Sequence, residues 1–419
     1  MKNSLKTNFG RGLIVVAAIF FVAVFYIYSF SPKASGQEQS PLFSLGETLS
    51  NLTDDEKSSI AAVSESEIII NFTSRSQINS EQLIFPLPDG NLHVAVQRKT
   101  EGFEEHGNGG FTWRGKLKEG RMSGDVVLTF NDGSVSGLIY AGNTVFEIVS
   151  KAGRHILVEL DQSKFPDCAG EIKSDEFENE TENTVTTDNQ LDAPDDTGNT
   201  IDVLVLYTSS VRSSLGGDAQ ARNFAQQAID SSNTAYINSQ ITQRVQLVRA
   251  QLSPVSEAGS LSTELSNLRN SSTVASLRNE FRADLVAMIS NTGGGCGIGY
   301  LMGSSSGNQN NAFTVTSRTC VVGNLSFAHE LGHNMGSAHN PENGSGGTYS
   351  YSYGHFVNGV FRTVMSYSDP CSSGCTRVAF FSNPSVKYSE RLTGTSSRDN
   401  ARSINNTDVT IANYRSAGN

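Results

Sequence analysis

Ahead of everything else, the chain runs uncharged and apolar from Leu13 to Tyr28, behind the basic residues Lys2, Lys6 and Arg11. That pattern predicts an export signal, with Ala34 and Gly36 as small residues at a cleavage site, or an uncleaved signal-anchor. In either case the basic end stays cytoplasmic and the rest is carried out. Residues 1–36 are read this way, and membrane contact is expected only through an uncleaved segment. Residues around 38–60 are polar and predict no regular element. From Ile68 to about Leu160 the texture changes to short apolar runs broken by Gly and Asp-Gly. Leu83–Gly90 leads into Leu92–Val96, and Val126–Phe130 precedes Asn131–Ser134, Val135–Tyr140 and Thr144–Val149. These are strand–turn–strand signals at hairpin spacing, so residues 37–170 are predicted to be β-rich. Trp113 falls inside this region and is expected in its core.

Residues 171–199 are dense in Glu, Asp, Asn and Thr, with almost no large apolar side chains. Such a stretch cannot bury enough surface to order itself and reads as an acidic linker, where a maturation cut is expected. From Ile201 the pattern is α/β. Ile201–Tyr207 is a nearly continuous apolar strand, as expected for burial on both faces. Asp218 is a candidate cap for a helix carrying Ala221, Phe224, Ala225, Ala228, Ile229 and Ala235 along one face. Val245, Leu247 and Leu252 mark a second strand, Leu261–Phe281 a helical region, and Asp284–Ile289 a third strand. Gly293–Gly295 reads as a turn. Ala312–Thr316 alternates like an edge strand before a further helix, for which Asn324 and Ser326 are candidate caps. A last helix is expected from about Asp399 to Tyr414.

Composition narrows the class. The 419 residues suggest two domains, and a net charge of −11 argues for solubility and against a nucleic-acid partner. The five cysteines fit an oxidising compartment. Cys371 and Cys375 are too isolated from other ligands for a zinc ribbon and read as a tight disulfide loop. Cys296 and Cys320 flank a longer loop that contributes about 3–3.5 kcal/mol on the chain-entropy model. Four cysteines allow three connectivities, so this pairing is an expectation. Cys168 is left over, well upstream.

The chemistry is concentrated in His329-Glu330-Leu331-Gly332-His333-Asn334-Met335-Gly336-Ser337-Ala338-His339, which holds three of the seven histidines. On a helix, His329 and His333 leave one face about a turn apart. Gly336 can take the positive φ that ends the helix and returns His339 to the same point. Three imidazoles with an open fourth position form a catalytic rather than a structural zinc site, with Glu330 beside it as general base and not as a ligand. One Zn²⁺ is expected; nothing supports an added calcium ion. His93, His106, His155 and His355 lack motif context and are assigned structural or surface roles.

Downstream lies Thr363-Val364-Met365-Ser366-Tyr367. With the long histidine motif, this resembles the metzincin zinc endopeptidases, in which a Met-turn lies beneath the metal. The βαβαβ order over 200–419 is similar to their adamalysin (reprolysin)-like catalytic domain, a twisted mixed sheet with a zinc helix. Residues 37–170 are then the propeptide. The resemblance implies hydrolysis of peptide bonds in proteins by an exported, latent zymogen inhibited by its own propeptide. It places Met365 as an apolar floor under the imidazoles and the Phe313–Thr316 strand along the substrate. Related metzincins use a propeptide cysteine to block the metal, which makes Cys168 a candidate latency switch. An incidental buried or intermolecular cysteine is the other reading, and Asp167 an alternative blocking group. Tyr367 occupies a position that reaches the zinc or the oxyanion in astacin- and serralysin-like members but is generally absent from adamalysin-like ones. Its alternative role is packing behind the Met-turn. Asn340, where many adamalysin-like sequences carry Asp, is a further departure.

Cys296-Gly297-Ile298-Gly299-Tyr300, the spacing from Cys320 to the histidine helix and Phe381-Ser382-Asn383-Pro384 are similar to bacterial peptidyl-Asp metallopeptidases. Cleavage before Asp needs a cation in the pocket beyond the cut, and Arg362 and Arg377 are the nearby candidates. Two rival readings remain from the sequence: a non-catalytic cell-surface adhesion module retaining this fold, and a zinc hydrolase of a non-peptide bond. The presence of Glu330 argues against the first. The expected substrate-binding strand and propeptide count against the second. Oligomeric state and natural substrate leave no mark on the sequence.

Overall fold

The computed structural model describes residues 40–49, 60–73, 80–107, 109–118, 124–131, 133–151, 153–173 and 200–415. The N-terminal apolar segment and most of the acidic linker lie outside them. No described helix is long and apolar enough to cross a membrane.

The N-terminal domain is built on β1 (Phe43–Thr48), β2 (Ser64–Phe72), β3 (Gln82–Pro86), β4 (Leu92–Gln97) and β5 (Phe103–Glu105). It continues through β6 (Phe111–Leu117), β7 (Asp125–Asn131), β8 (Ser134–Ala141), β9 (Thr144–Lys151) and β10 (Arg154–Leu160). They form one antiparallel sheet in the order β1-β2-β10-β9-β8-β7-β6-β4-β3, with β5 pairing on β6. The predicted hairpins are present. β1, however, lies where the sequence suggested no element: Leu42 and Phe43 are buried and the strand pairs with β2. A short polar segment gains order there because a neighbouring strand takes up its backbone hydrogen bonds.

Strand alternation splits the sheet into two faces. Trp113, Val126, Leu128, Phe130, Ile139 and Ile148 build the domain's own core. The intervening residues Thr112, Arg114, Thr129, Ser136, Leu138 and Glu147 are buried too, because the second domain lies across them.

After β11 (Glu171–Lys173), the C-terminal domain follows as β12 (Thr200–Tyr207), α1 (Ser209–Leu215), α2 (Asp218–Asn238), β13 (Arg244–Leu252), α3 (Leu261–Asn270) and α4 (Ser272–Glu280). Then come β14 (Leu285–Ser290), β15 (Gly297–Leu301), β16 (Phe313–Ser317), α5 (Ser326–Asn334) and, last, α6 (Asn400–Ala412). The sheet runs β11-β15-β16-β14-β12-β13. Its pairs are parallel except β15 with β16, so it is a mixed sheet in an α/β domain, as expected.

Several local expectations are corrected. β16 is interior, with every residue buried, and β15 lies between it and β11. Thr314 and Thr316, which looked solvent-facing, are fully buried. The glycine-rich run from Gly293 to Gly299 hid β15, since glycine carries little strand signal. Helix α2 starts at Asp218 behind Gly217, and the Asp218 carboxylate accepts from the Tyr207 hydroxyl at 2.9 Å instead of capping. The Leu261–Phe281 region is two helices, split at Ser271, which caps the second through Val274 N–H at 3.3 Å. Ahead of α5 the cap position is Leu325, at φ +54°, with no side-chain cap. Asn324 is engaged elsewhere, its amide donating to the Ser326 hydroxyl and its carbonyl accepting from Arg362. Asp399 does cap the final helix, accepting from Arg402 N–H at 3.0 Å. Both expected disulfides are present, Cys296–Cys320 and Cys371–Cys375.

Candidate active site

All nine residues of α5 are buried, and its helical spacing sends His329 and His333 to one side. Gly336 then turns the chain at φ +83°, where an added Cβ would lie 2.1 Å from the Thr348 hydroxyl oxygen. The turn carries His339 back. His329 Nε2 and His333 Nε2 each lie 3.1 Å from His339 Nε2. His329 Nδ1–H donates to the Val364 carbonyl and His333 Nδ1–H to the Ser337 carbonyl, both at 2.9 Å. With those protons on Nδ1, the lone pairs at Nε2 face one another, which is repulsive unless a cation sits between them. Nitrogens on a tetrahedral zinc at ~2.0–2.1 Å stand about 3.3 Å apart, so the donor set fits that ion. Burial, aided by the neighbouring imidazoles, depresses the His329 and His339 pKa values, His339 to about 2. Neutral imidazole is the form a metal binds.

Cys168 reaches the same point. Its sulfur and the three histidine donors lie within 4.8 Å of one another. The thiol faces Glu330 Oε1 at 3.2 Å and the Gly297 carbonyl at 3.1 Å. Burial first, then the Glu330 carboxylate, raises the Cys168 thiol pKa. Asp167, the alternative blocking residue, does not reach the histidines in this way: its carboxylate accepts from the Ser368 hydroxyl at 3.2 Å.

Glu330 is fully buried, and burial pushes its pKa up to about 8. Gly297 makes room for it: a Cβ there would lie 2.4 Å from Oε1 and 2.7 Å from Cγ. Gly297→Ala is therefore expected to displace the carboxylate and lower kcat by roughly 10–10²-fold, since misplacement by about 1 Å costs that much. Metal content should be unchanged. Steady-state kinetics with elemental analysis checks this, and full activity would show that the carboxylate has slack.

Met365 is buried under the histidine helix, and an added Cβ at Gly332 would lie 2.6 Å from its sulfur. The Tyr367 ring centroid lies 4.2 Å from that of His339, and its hydroxyl donates to the Cys168 carbonyl at 3.3 Å. Asn340 ties the third-histidine turn to this segment, accepting from Tyr367 N–H at 2.9 Å.

The segment around Cys168 is held against the start of β15. Cys296 N–H donates to the Asp167 carbonyl at 3.0 Å and Ala169 N–H to the Gly297 carbonyl at 2.8 Å. β11 then pairs in parallel with β15, Glu171 opposite Gly299. Residues 171–173 are thus an ordered strand rather than linker. Glu171 was missed from the sequence. Its Oε1 accepts from Ser345 N–H and Oγ–H at 3.2 and 2.8 Å, and Oε2 lies 3.5 Å from His339 Nδ1. Its only sequence signal was standing three residues after Cys168, inside an acidic run that masked it.

Arg362 and Arg377 are both 3% exposed and both donate to the Ser366 carbonyl, at 3.0 and 3.1 Å. Their other hydrogen bonds go to Asn324 Oδ1 and the Asn324 carbonyl, also neutral acceptors. Each Nε is buried with no hydrogen-bond partner among the described residues. Burial, and for Arg362 the adjacent Arg377, lowers both pKa values. The other histidines lie apart from this site. His93 pairs with Asp89, His155 packs on Phe72, His355 is half-buried, and His106 faces Asp230 between the domains.

Residues 197–381 match the family model Reprolysin_5, described as metallo-peptidase family M12. The chain is 28% identical to a peptidyl-Asp metalloendopeptidase of Stenotrophomonas maltophilia (strain R551-3), over 96% of each chain. It is likewise 28% identical to one from Xanthomonas campestris pv. campestris, covering 80% of this chain and 82% of the relative. A Pseudomonas aeruginosa protein of the same description is 33% identical over 52% of this chain and 40% of its own length.

Proposed function

From the premise that residues 197–381 are a reprolysin-like metallopeptidase domain of family M12 and that the chain is a metalloendopeptidase, we propose that it is an exported zinc enzyme made in latent form. The observation that carries this reading is the convergence of three neutral imidazoles with one thiol. His329, His333 and His339 would hold the ion, which when bound supplies Lewis acidity at the scissile carbonyl and makes a water acidic near neutral pH. Glu330 takes the proton of the attacking water and returns it to the leaving amine. The outer edge of β15, once β11 has left, accepts an extended substrate backbone by β-augmentation. The Tyr367 hydroxyl, which donates to the Cys168 carbonyl, is offered to a substrate carbonyl in its place. Met365 gives the imidazoles an apolar floor.

Latency in this reading comes from Cys168 at the fourth metal position. Residues 37–170 act as the inhibitory propeptide, and the maturation cut falls in the segment that ends at residue 199. The two disulfides support export to an oxidising compartment, with residues 1–36 as the leader or anchor. The adhesion-module reading is not favoured, because the relatives are described as endopeptidases and the base Glu330 is present.

The matured protein should cleave casein or a peptide mixture, and phenanthroline should stop it. Cleavage that survives metal removal, or a zinc-loaded protein that cuts nothing, would sink the proposal.

The relatives' description extends the reading to substrates with Asp just after the cut. Arg362 and Arg377, buried near the Met-turn with only neutral hydrogen-bond acceptors, supply the positive field. Arg377→Met is expected to reduce the preference for Asp over Asn by roughly 10-fold or more, as for loss of a polar partner in a specificity pocket. A peptide library read by mass spectrometry measures it; no Asp enrichment in the parent enzyme would dispose of the idea.

A further inference from the structure

Away from the histidines, buried polar side chains gather where α2 crosses the N-terminal sheet. Asp230 is fully buried at the middle of this helix. Its carboxylate accepts from the Thr112 and Thr129 hydroxyls, the latter at 2.5 Å, and from the Arg114 guanidinium at 3.3 Å. All three partners belong to β6 and β7 of the other domain. His106 Nε2 stands 3.8 Å away and Gln226, on α2 itself, donates at 3.1 Å.

Two turns either way the pattern continues. Asn223 donates to Ser136 at 2.9 Å, and Asn238 donates to Asp125 at 2.8 Å. Arg244, just beyond the helix, forms a two-point pair with Glu101 at 2.7 and 3.1 Å. Beside this polar zone lies an apolar one, in which Leu138, Val145, Val149 and Val158 share a cluster with Phe224 and Phe327. Within it Glu147 of the sheet faces Arg318 at 3.9 Å, both buried.

A helix face of Asn, Gln, Asp, Ser and Thr is unsuited to a permanent core, where apolar residues of like volume serve as well or better. It suits a surface that is buried in one state and hydrated in another. The same face is remote in sequence and in contacts from the Cys168 segment, so the N-terminal domain is held twice. Cutting the linker releases neither hold.

We propose that α2, centred on Asp230, is a docking surface for the N-terminal domain as a separate chain. After linker scission, residues 40–173 stay bound as a noncovalent inhibitor, and dissociation rather than cleavage is the activating step. This rests on the zinc-peptidase reading only for the word inhibitor; the docking itself is independent of it.

The test places a site for a sequence-specific protease between residues 174 and 199 of the full chain and cuts the purified precursor. The two fragments are expected to co-elute on size-exclusion chromatography at micromolar concentration, with peptide hydrolysis as low as before the cut. Arg114→Gln, which leaves the protease domain's sequence untouched, should weaken the association by roughly 10²-fold, as for breaking a buried charge pair. An unaltered thermal transition of the uncut Arg114→Gln precursor guards against misfolding. Should that variant unfold, Thr129→Val makes the same test with less disturbance. Cys168→Ser should leave the cut fragments co-eluting. Separation of the unsubstituted fragments on cutting, or of the Cys168→Ser fragments alone, overturns the proposal. Co-elution together with an isolated protease domain that cuts no peptide would instead count against the peptidase reading.

Discussion

Glu330→Gln in the matured protein is expected to lower kcat by about 10²–10⁴-fold, the range that a positioned general base contributes. Substrate affinity should change little. The amide keeps the volume of the carboxylate, and Glu330 stands outside the set of converging donors, so one metal ion per chain should remain. Steady-state kinetics paired with elemental analysis separates the two roles. Loss of metal along with activity would mean that Glu330 holds the site together instead of moving a proton. Glutamine cannot accept a proton, but it preserves the fit against Gly297, where even a methyl group would collide. Glu330→Gln therefore isolates the chemistry from the packing more cleanly than Glu330→Ala.

Replacing Cys168 by Ser in the uncut precursor is expected to raise its peptide hydrolysis by about 10²-fold. A lock that leaves about one molecule in 10² open corresponds to ~2.7 kcal/mol, and removing it returns that factor. The serine hydroxyl keeps the size and the hydrogen-bonding reach toward Glu330 and Gly297 but is a poor ligand for zinc at neutral pH. A thiol-modifying reagent should act in the same direction on the parent precursor. The contacts of β11 and the α2 interface persist in the variant, so activation should fall short of that of the isolated protease domain. Unchanged latency would assign the block to backbone occupation of β15 alone, with the sulfur incidental.

The parts of the molecule that were legible in the sequence are those where a local rule has only one outcome. Alternating apolar residues with Asn-Asp-Gly between them make a hairpin wherever they occur, and β7–β9 are that hairpin and its continuation. Histidines four apart on a helix followed by Gly and a third His converge by backbone geometry alone, and they do. The cysteine loops closed as spacing suggested. Legibility failed where order depends on a partner. β1 and β11 are short and polar, and each exists because another strand takes up its hydrogen bonds. β16 was misplaced to the edge because its buried threonines mimic a wet face, while the glycines of β15 conceal the strand that lies outside it. α2 showed its apolar stripe plainly, yet its polar side is buried as well.

The amino-acid order alone therefore determined the composition of the histidine centre, the hairpins, the disulfide loops and the division into a β-rich and an α/β region, since each is encoded within a few turns or strands of chain. Only the tertiary structure decided that Cys168 and Glu171 meet those histidines, that Tyr367 reaches Cys168, that β15 carries β11 on its outer side, and that Asp230 binds across to Arg114. Those contacts join residues more than a hundred positions apart, and no local periodicity records which distant surface will cover a given side chain.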